Sequence, residues 1–132
     1  NKVFNKEKMK VKKINIKVMD IDKYFDHVES VLEDYNKGKY KEYPSTVSFA
    51  NLTLLRKILS PRRMQLMSVI KHKKPESIYE LAKMVNRERK SVITDINILN
   101  ELGFVKLKRY HKEREIVKPE VNFEEIDIGV KI

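Results

Sequence analysis

The 132-residue chain has no cysteine and no tryptophan, and only three glycines and four prolines. Without thiols there is no disulfide framework and no thiolate metal site. Gly38, Gly103 and Gly129 stand far apart, so there is no glycine-rich phosphate loop. No run of eighteen apolar residues occurs, and no apolar core follows the basic amino end. The sequence therefore predicts neither a spanning helix nor a signal peptide, and a cytoplasmic protein with no membrane partner. His27, His72 and His111 lie in three separate segments, without the spacing of a shared metal site. Asp20, Asp22, Asp26, Glu29, Glu33 and Asp34 are numerous, but nothing supplies a second catalytic group or a shielded pocket. The expectation is a protein that is not an enzyme and needs no metal or cofactor.

Positive charge is what the chain has in excess. The formal net charge is +10 and the sequence pI about 9.7, a balance that favours polyanionic partners, nucleic acid first. The charge is unevenly spread. Residues 1–19 carry seven lysines and one acid, residues 44–75 seven basic groups and no acid, and residues 103–118 six basic groups and two acids. Residues 20–43 and 119–132 are net acidic, and residues 76–102 nearly neutral. Backbone contacts flanking a base-reading helix would be distributed in this way.

The stretch from Ser60 to Gly103 reads as three helices. Ser60 caps the first and Pro61 takes its first position; Leu66, Met67, Val69 and Ile70 form its apolar stripe, Lys71 to Lys74 give a basic carboxyl end, and Pro75 breaks it. Ser77-Ile78-Tyr79-Glu80 has the form of a capping box opening a second, short helix, with Ile78, Leu81, Ala82 and Val85 inward. Asn86 tolerates the left-handed conformation that ends it. A third helix is predicted from about Glu88 to Leu102, closed by Gly103, with Val92, Ile96, Leu99 and Leu102 on its inner face. Arg87, Arg89, Lys90, Ser91, Ile93, Thr94 and Asn97 are then the candidates for contact with DNA. Lysine, threonine and asparagine suit phosphates and base edges, and an aliphatic side chain suits a thymine methyl. The same helices would also make an ordinary three-helix bundle with a solvated polar face. Asp95, at the margin of the inner face, is expected to pair with Arg62 or Arg63.

Phe104 to Tyr110 alternates as a strand should, and Glu115-Ile116-Val117 can return beside it. The tip between them, His111-Lys112-Glu113-Arg114, is basic and lacks the Asn-Gly or Gly-X pair of a tight turn, so a longer, mobile loop is expected. A basic hairpin directly after a base-reading helix is the winged-helix arrangement. Lys108, Arg109, Lys112 and Arg114 are its candidate phosphate contacts; a merely solvated hairpin is the plainer reading.

Residues across this region also carry a family likeness: Ser48-Phe49, Leu55 to Arg63, Pro75 to Ala82, Arg87, Val92, Asp95-Ile96 and Leu99 to Val105. The pattern, over roughly Ser48 to Val121 and most specific in its P-E-S-I-x-E-L-A run, resembles small MarR-like winged-helix regulators, mostly archaeal with some bacterial members. That resemblance implies a winged helix-turn-helix and sequence-specific binding of double-stranded DNA. Some bacterial relatives look like antitoxins encoded beside a small nuclease toxin, which implies a toxin protein as a partner. The chain departs from the usual pattern at Ile93-Thr94, where a histidine and an arginine are common, and in its glycine-free wing.

Outside that region, Asn1 to Met9 reads as a lysine-rich arm and residues 11–18 as a strand with Ile14, Ile16 and Val18 on one face. Asp20 or Asp22 caps a helix ended by Gly38, in which Ile21, Phe25, Val28, Leu32 and Tyr35 form a heptad seam. The seam either packs within its own domain or holds a homodimer together. Lys39 to Val47 is a polar linker around Pro44, and Asn51 caps a short helix after it. Ile126, Ile128, Val130 and Ile132 alternate at the far end, and the two terminal strands are expected to pair, within one chain or between two, with the 20–37 helix over one face.

The fold class predicted is α+β, mainly helical: a winged helix-turn-helix with an added terminal strand pair and N-terminal helix. Residues 1–47 form the arm, strand and dimerisation helix, 48–121 the DNA-binding domain, and 122–132 a C-terminal strand. The function predicted is a dimeric, sequence-specific transcriptional regulator that represses by occupying its operator. Two alternatives stand beside it: an antitoxin that binds a small nuclease toxin and autoregulates its operon, and a sequence-indifferent chromatin or nucleic-acid binder.

Overall fold

The computed structural model describes residues 12–38 and 46–132, apart from the Tyr35 side chain. The lysine-rich arm and most of the linker around Pro44 lie outside the described residues. Among those described, five strands and five helices follow one another: β1 (Lys13–Val18), α1 (Ile21–Asn36), β2 (Thr46–Phe49), α2 (Leu52–Ile58), α3 (Pro61–Lys73), α4 (Ile78–Met84), α5 (Arg89–Glu101), β3 (Lys106–His111), β4 (Glu115–Glu120) and β5 (Glu125–Val130). The fold is α+β, and no helix among the described residues is long and apolar enough to cross a membrane. Two compact units divide the chain. One draws on residues up to Leu55 and on Phe123–Ile132; the other spans Arg56–Asn122. The division falls after Leu55 rather than at Ser48, so Ser48 to Leu55 belong with the first unit.

The first unit is built on a three-stranded parallel sheet in the order β2-β1-β5. Parallel neighbours need a crossover between them, which α1 supplies for β1 and β2. Thr46–Phe49 is a strand where a polar linker was expected to end: Val47 lies beside Ile16 and Phe49 beside Val18. Only two apolar positions alternate there, too few to stand out in the sequence. On the other side β1 and β5 pair within the one chain, Ile14 beside Ile126, Ile16 beside Ile128 and Val18 beside Val130. One face of the sheet is thus aliphatic, and Ile14, Ile16, Val18 and Phe49 are buried. The other face is polar. Lys13 reaches Glu125 at 3.3 Å and Asp127 at 3.5 Å, and its hydrogen bond to Glu125 raises the ammonium above its ordinary range, with the charge of Asp127 adding to the effect.

Asp20, not Asp22, caps α1, its Oδ1 accepting from the Lys23 amide at 3.0 Å. The expected heptad seam does not cover the sheet. Ile21 is 66% exposed, Phe25 59% and Leu32 57%, Val28 is half-buried, and no described side chain of α1 is buried. Burying a large apolar side chain is worth about 1.5–3 kcal/mol, and α1 forgoes that term at several positions.

The second unit packs three helices and a hairpin around one core. Ser60 caps α3, its Oγ accepting from the Arg63 amide at 3.3 Å, with Pro61 in the first position. Lys74 ends α3 in the left-handed region, at φ 48°, and Pro75 follows. Helix α3 lies against α4 and α5, α4 against α5, and β4 against α3 and α4. Leu66, Met67, Ile70, Leu81, Ala82, Val92, Ile96, Leu99, Phe104 and Val105 are buried between them. Phe104 and Val105 do not begin the hairpin. Their amides close the end of α5 on the Leu99 carbonyl, at 2.9 and 3.3 Å, after Gly103 turns the chain at φ 86°.

Candidate functional site

The surface of α5 follows from its burial pattern. Val92, Ile96 and Leu99 are wholly buried, which fixes the rotation of the helix and turns Arg89, Lys90, Ser91, Ile93, Thr94 and Asn97 outward. Helix α4 presents α5 through a short turn. Ser77 Oγ accepts from the Glu80 amide at 3.0 Å, but the reciprocal half of the expected capping box is displaced by one residue. The Glu80 carboxylate takes the Glu76 amide, at 3.3 Å. At the other end of α4, Asn86 stands at φ 53°, a conformation that its short polar side chain tolerates.

Asp95 sets α5 against its neighbours. Arg63 Nε donates to Asp95 Oδ1 at 3.1 Å, and Arg87 Nη2 to Asp95 Oδ2 at 2.9 Å. Arg63 Nη1 also donates to the carbonyls of Lys57 and Ile58, at 2.9 and 3.0 Å. The Asp95 side chain is 13% exposed, with the two arginines little more so. Of the two expected partners Arg63 makes the contact, and Arg87 is the one that sequence reasoning missed. Arg87, a candidate DNA contact by its place ahead of the helix, turns its guanidinium inward, with Nη1 buried and without a hydrogen-bond partner among the described residues. Asp95 stands eight positions after Arg87, about two helical turns, so Arg87, just ahead of α5, extends its side chain forward along the helix to meet it. Thr94 is also partly committed, since its hydroxyl donates to the Lys90 carbonyl at 3.0 Å.

The hairpin is tighter than expected. His111 lies opposite Glu115, so the tip is Lys112-Glu113-Arg114 alone, with the Lys112 amide bonded to the Arg114 carbonyl at 3.3 Å. Three residues close it without glycine, where a longer loop was expected. Its four candidate cations are all exposed, and they differ in freedom. Arg109 Nη1 holds Glu115 at 2.8 Å and Lys108 holds Glu120 at 3.3 Å, whereas among the described residues Lys112 and Arg114 have no ion pair. Arg89 and Lys90, at the start of α5, are likewise without one.

Between α4, α5 and the hairpin lies a cleft of about 880 Å³, bordered by Tyr79, Arg89, Ile93, Tyr110, Lys112 and Arg114 among others. The sequence contained these residues but gave no sign that they converge. Among the described residues no group of three or more histidine, cysteine, aspartate or glutamate side chains is placed to hold a metal ion.

The site falls inside a known family pattern. The family described as HVO_A0114 matches residues 58–128, slightly more than half of the chain. No curated protein and no solved structure matches the sequence.

Proposed function

The chain belongs to the HVO_A0114 family, and we propose that it is a sequence-specific, double-stranded DNA-binding transcriptional regulator of the MarR-like winged helix-turn-helix type. In this reading α4 and α5 are the helix-turn-helix, α5 enters the major groove, and the β3–β4 hairpin is the wing on the phosphate backbone. One observation carries it: a helix whose inner face is wholly buried turns Arg89, Lys90, Ser91, Ile93, Thr94 and Asn97 outward together. Hydrogen-bonding, cationic and aliphatic side chains on one helical face are what base edges and thymine methyls require. The hairpin adds Lys112 and Arg114, two exposed cations with no ion pair among the described residues, to the strongly basic balance of the chain. Such charges hold phosphates and orient a reading helix without themselves reading sequence.

The regulator acts as a homodimer that represses by occupying its operator. The open seam of α1 (Ile21, Phe25, Val28 and Leu32) supports this, because apolar surface of that kind marks an interaction site. A two-fold protein binds two half-sites about one helical turn apart. Selection of bound sequences from random DNA by the purified protein tests the whole reading. A palindrome with that spacing is expected. Recovery of no preferred sequence, together with a steep loss of affinity in salt, would replace it by a sequence-indifferent nucleic-acid binder.

A further inference from the structure

The cleft beside α5 is bordered by two exposed tyrosine rings, whose faces a closed duplex does not use. Tyr79 is 49% and Tyr110 43% exposed, and Ile93 lies between them in the sequence and on the same cleft. In a B-form duplex the faces of the bases are stacked against one another, and a protein meets only their edges, the sugars and the phosphates. An exposed tyrosine ring can stack on an unstacked base, because every base has a π-face. The charge of the cleft points the same way. Its carboxylates are already engaged, Glu115 by Arg109 at 2.8 Å and Glu76 by Lys118 at 3.7 Å. Arg89, Lys112 and Arg114 have no ion pair among the described residues, so the cleft is left cationic. The ammonium of Lys83 and the guanidinium of Arg89 lie over the Tyr79 ring, at 4.5 and 5.5 Å from its centre. A base stacked on this cluster would therefore carry its phosphate into positive charge. The cleft volume of about 880 Å³ falls in the ~300–1,000 Å³ range of sites that enclose small organic ligands. It has room for a nucleobase with its sugar and phosphate.

We propose that this cleft is a binding site for unpaired nucleotides of a DNA strand, so that the protein prefers a duplex carrying a single-stranded extension to the same duplex with blunt ends. The inference rests on the duplex-binding reading above, because the cleft adjoins the face of α5 that reads the duplex. Tyr79 and Tyr110 are the stacking residues; Arg89, Lys112 and Arg114, which border the cleft, are shared between the duplex backbone and the phosphates where the extension leaves it.

Fluorescence anisotropy with the full chain tests it, using a blunt duplex, the same duplex with a short single-stranded extension of either polarity, the same duplex lengthened by paired bases, and the extension strand alone. The single-stranded extension of one polarity should tighten binding about tenfold over the blunt duplex, the scale of one aromatic–base stack. Tyr110→Ala and Tyr79→Ala should each remove most of that gain while leaving blunt-duplex affinity unchanged, and Tyr110→Phe should keep it. Equal gain from the paired lengthening would make the effect electrostatic and overturn the proposal, as would equal losses on blunt and extended duplexes in the tyrosine variants. A protein that binds the extension strand through the tyrosines but has no affinity for the blunt duplex would keep the cleft assignment and remove the duplex reading. One that binds the blunt duplex and gains nothing from any extension would do the reverse.

Discussion

Asp95 shows how one carboxylate can fix the rotation of a helix by holding two arginines at once. It accepts from both Arg63 and Arg87, so its loss takes the counter-charge from two guanidiniums at once, and a largely buried charge without its partner is costly. We expect Asp95→Ala to lower stability by about 3 kcal/mol, read as a fall in the urea midpoint at constant slope. The two-arginine geometry also predicts how the loss can be repaired. Asp95→Leu with Arg63→Met should recover only part of it, because Arg87 still lacks an acceptor and already has one buried nitrogen unpaired. Adding Arg87→Met should recover the rest. An Asp95→Ala protein as stable as the parent would show that the triad contributes nothing to the fold. The acid–arginine pairing was legible from the sequence in the case of Arg63, since Asp95 stands at the edge of an apolar face with a basic cluster one helix away. Arg87 was not, because a cation just ahead of a helix reads equally well as a phosphate contact. Only the direction of its side chain decides between the two.

At the scale of the element, α5 and the hairpin should fail in different ways. Asn97 is exposed on the outward face of α5, and an asparagine amide can bond adenine through both atoms. Asn97→Ala is expected to cost about 1–3 kcal/mol on the preferred site and to relax the choice of base at one position, with the salt slope unchanged. Lys112→Ala should weaken all sequences about equally and lower the salt slope by about one unit. The ion pairs within the hairpin refine this. Lys108 already faces Glu120, so Lys108→Ala should change the slope less than Lys112→Ala does. Titrations of the preferred site and of an unrelated duplex over a range of salt separate these outcomes; a base-specific effect from the hairpin variant would move the reading role off α5. Helix boundaries here were legible because capping is local chemistry, and Ser60, Ser77 and Asn51 each accept the amide three residues on. The strands were harder. β2 has only Val47 and Phe49 to mark it, and the length of the hairpin tip depends on cross-strand register, which no single strand encodes.

At the scale of the molecule the open question is what meets α1. A homodimer held by its seam should dissociate when Phe25 and Leu32 are both replaced by aspartate, and the monomer should keep its helical circular dichroism. Sedimentation of the wild-type protein at micromolar concentration is the direct check. A wild-type monomer would end the homodimer reading and leave the seam for another protein, such as the toxin of the antitoxin alternative. Heptad spacing made the seam visible in the sequence, but spacing says only that residues share a face. It does not say whether their own sheet covers that face, and here the sheet does not.

The parallel pairing of β1 with β5 has a consequence for how the protein is made. The Lys12 amide donates to a Glu124 side chain 112 residues further along the chain, and between the two strands the whole of Arg56–Asn122 is inserted. On a ribosome β1 and β2 emerge early, and the inserted unit can fold before β5 has been synthesised. Until then β1 presents one unpaired edge with Ile14, Ile16 and Val18 on its aliphatic face, the kind of template on which nascent chains pair with one another. Pairing of β5 with β1, a contact of long loop length, is therefore the step we expect to be slow. In a pulse-labelled synthesis the inserted unit should resist protease first, and residues 13–18 should gain protection only after the chain has passed Val130.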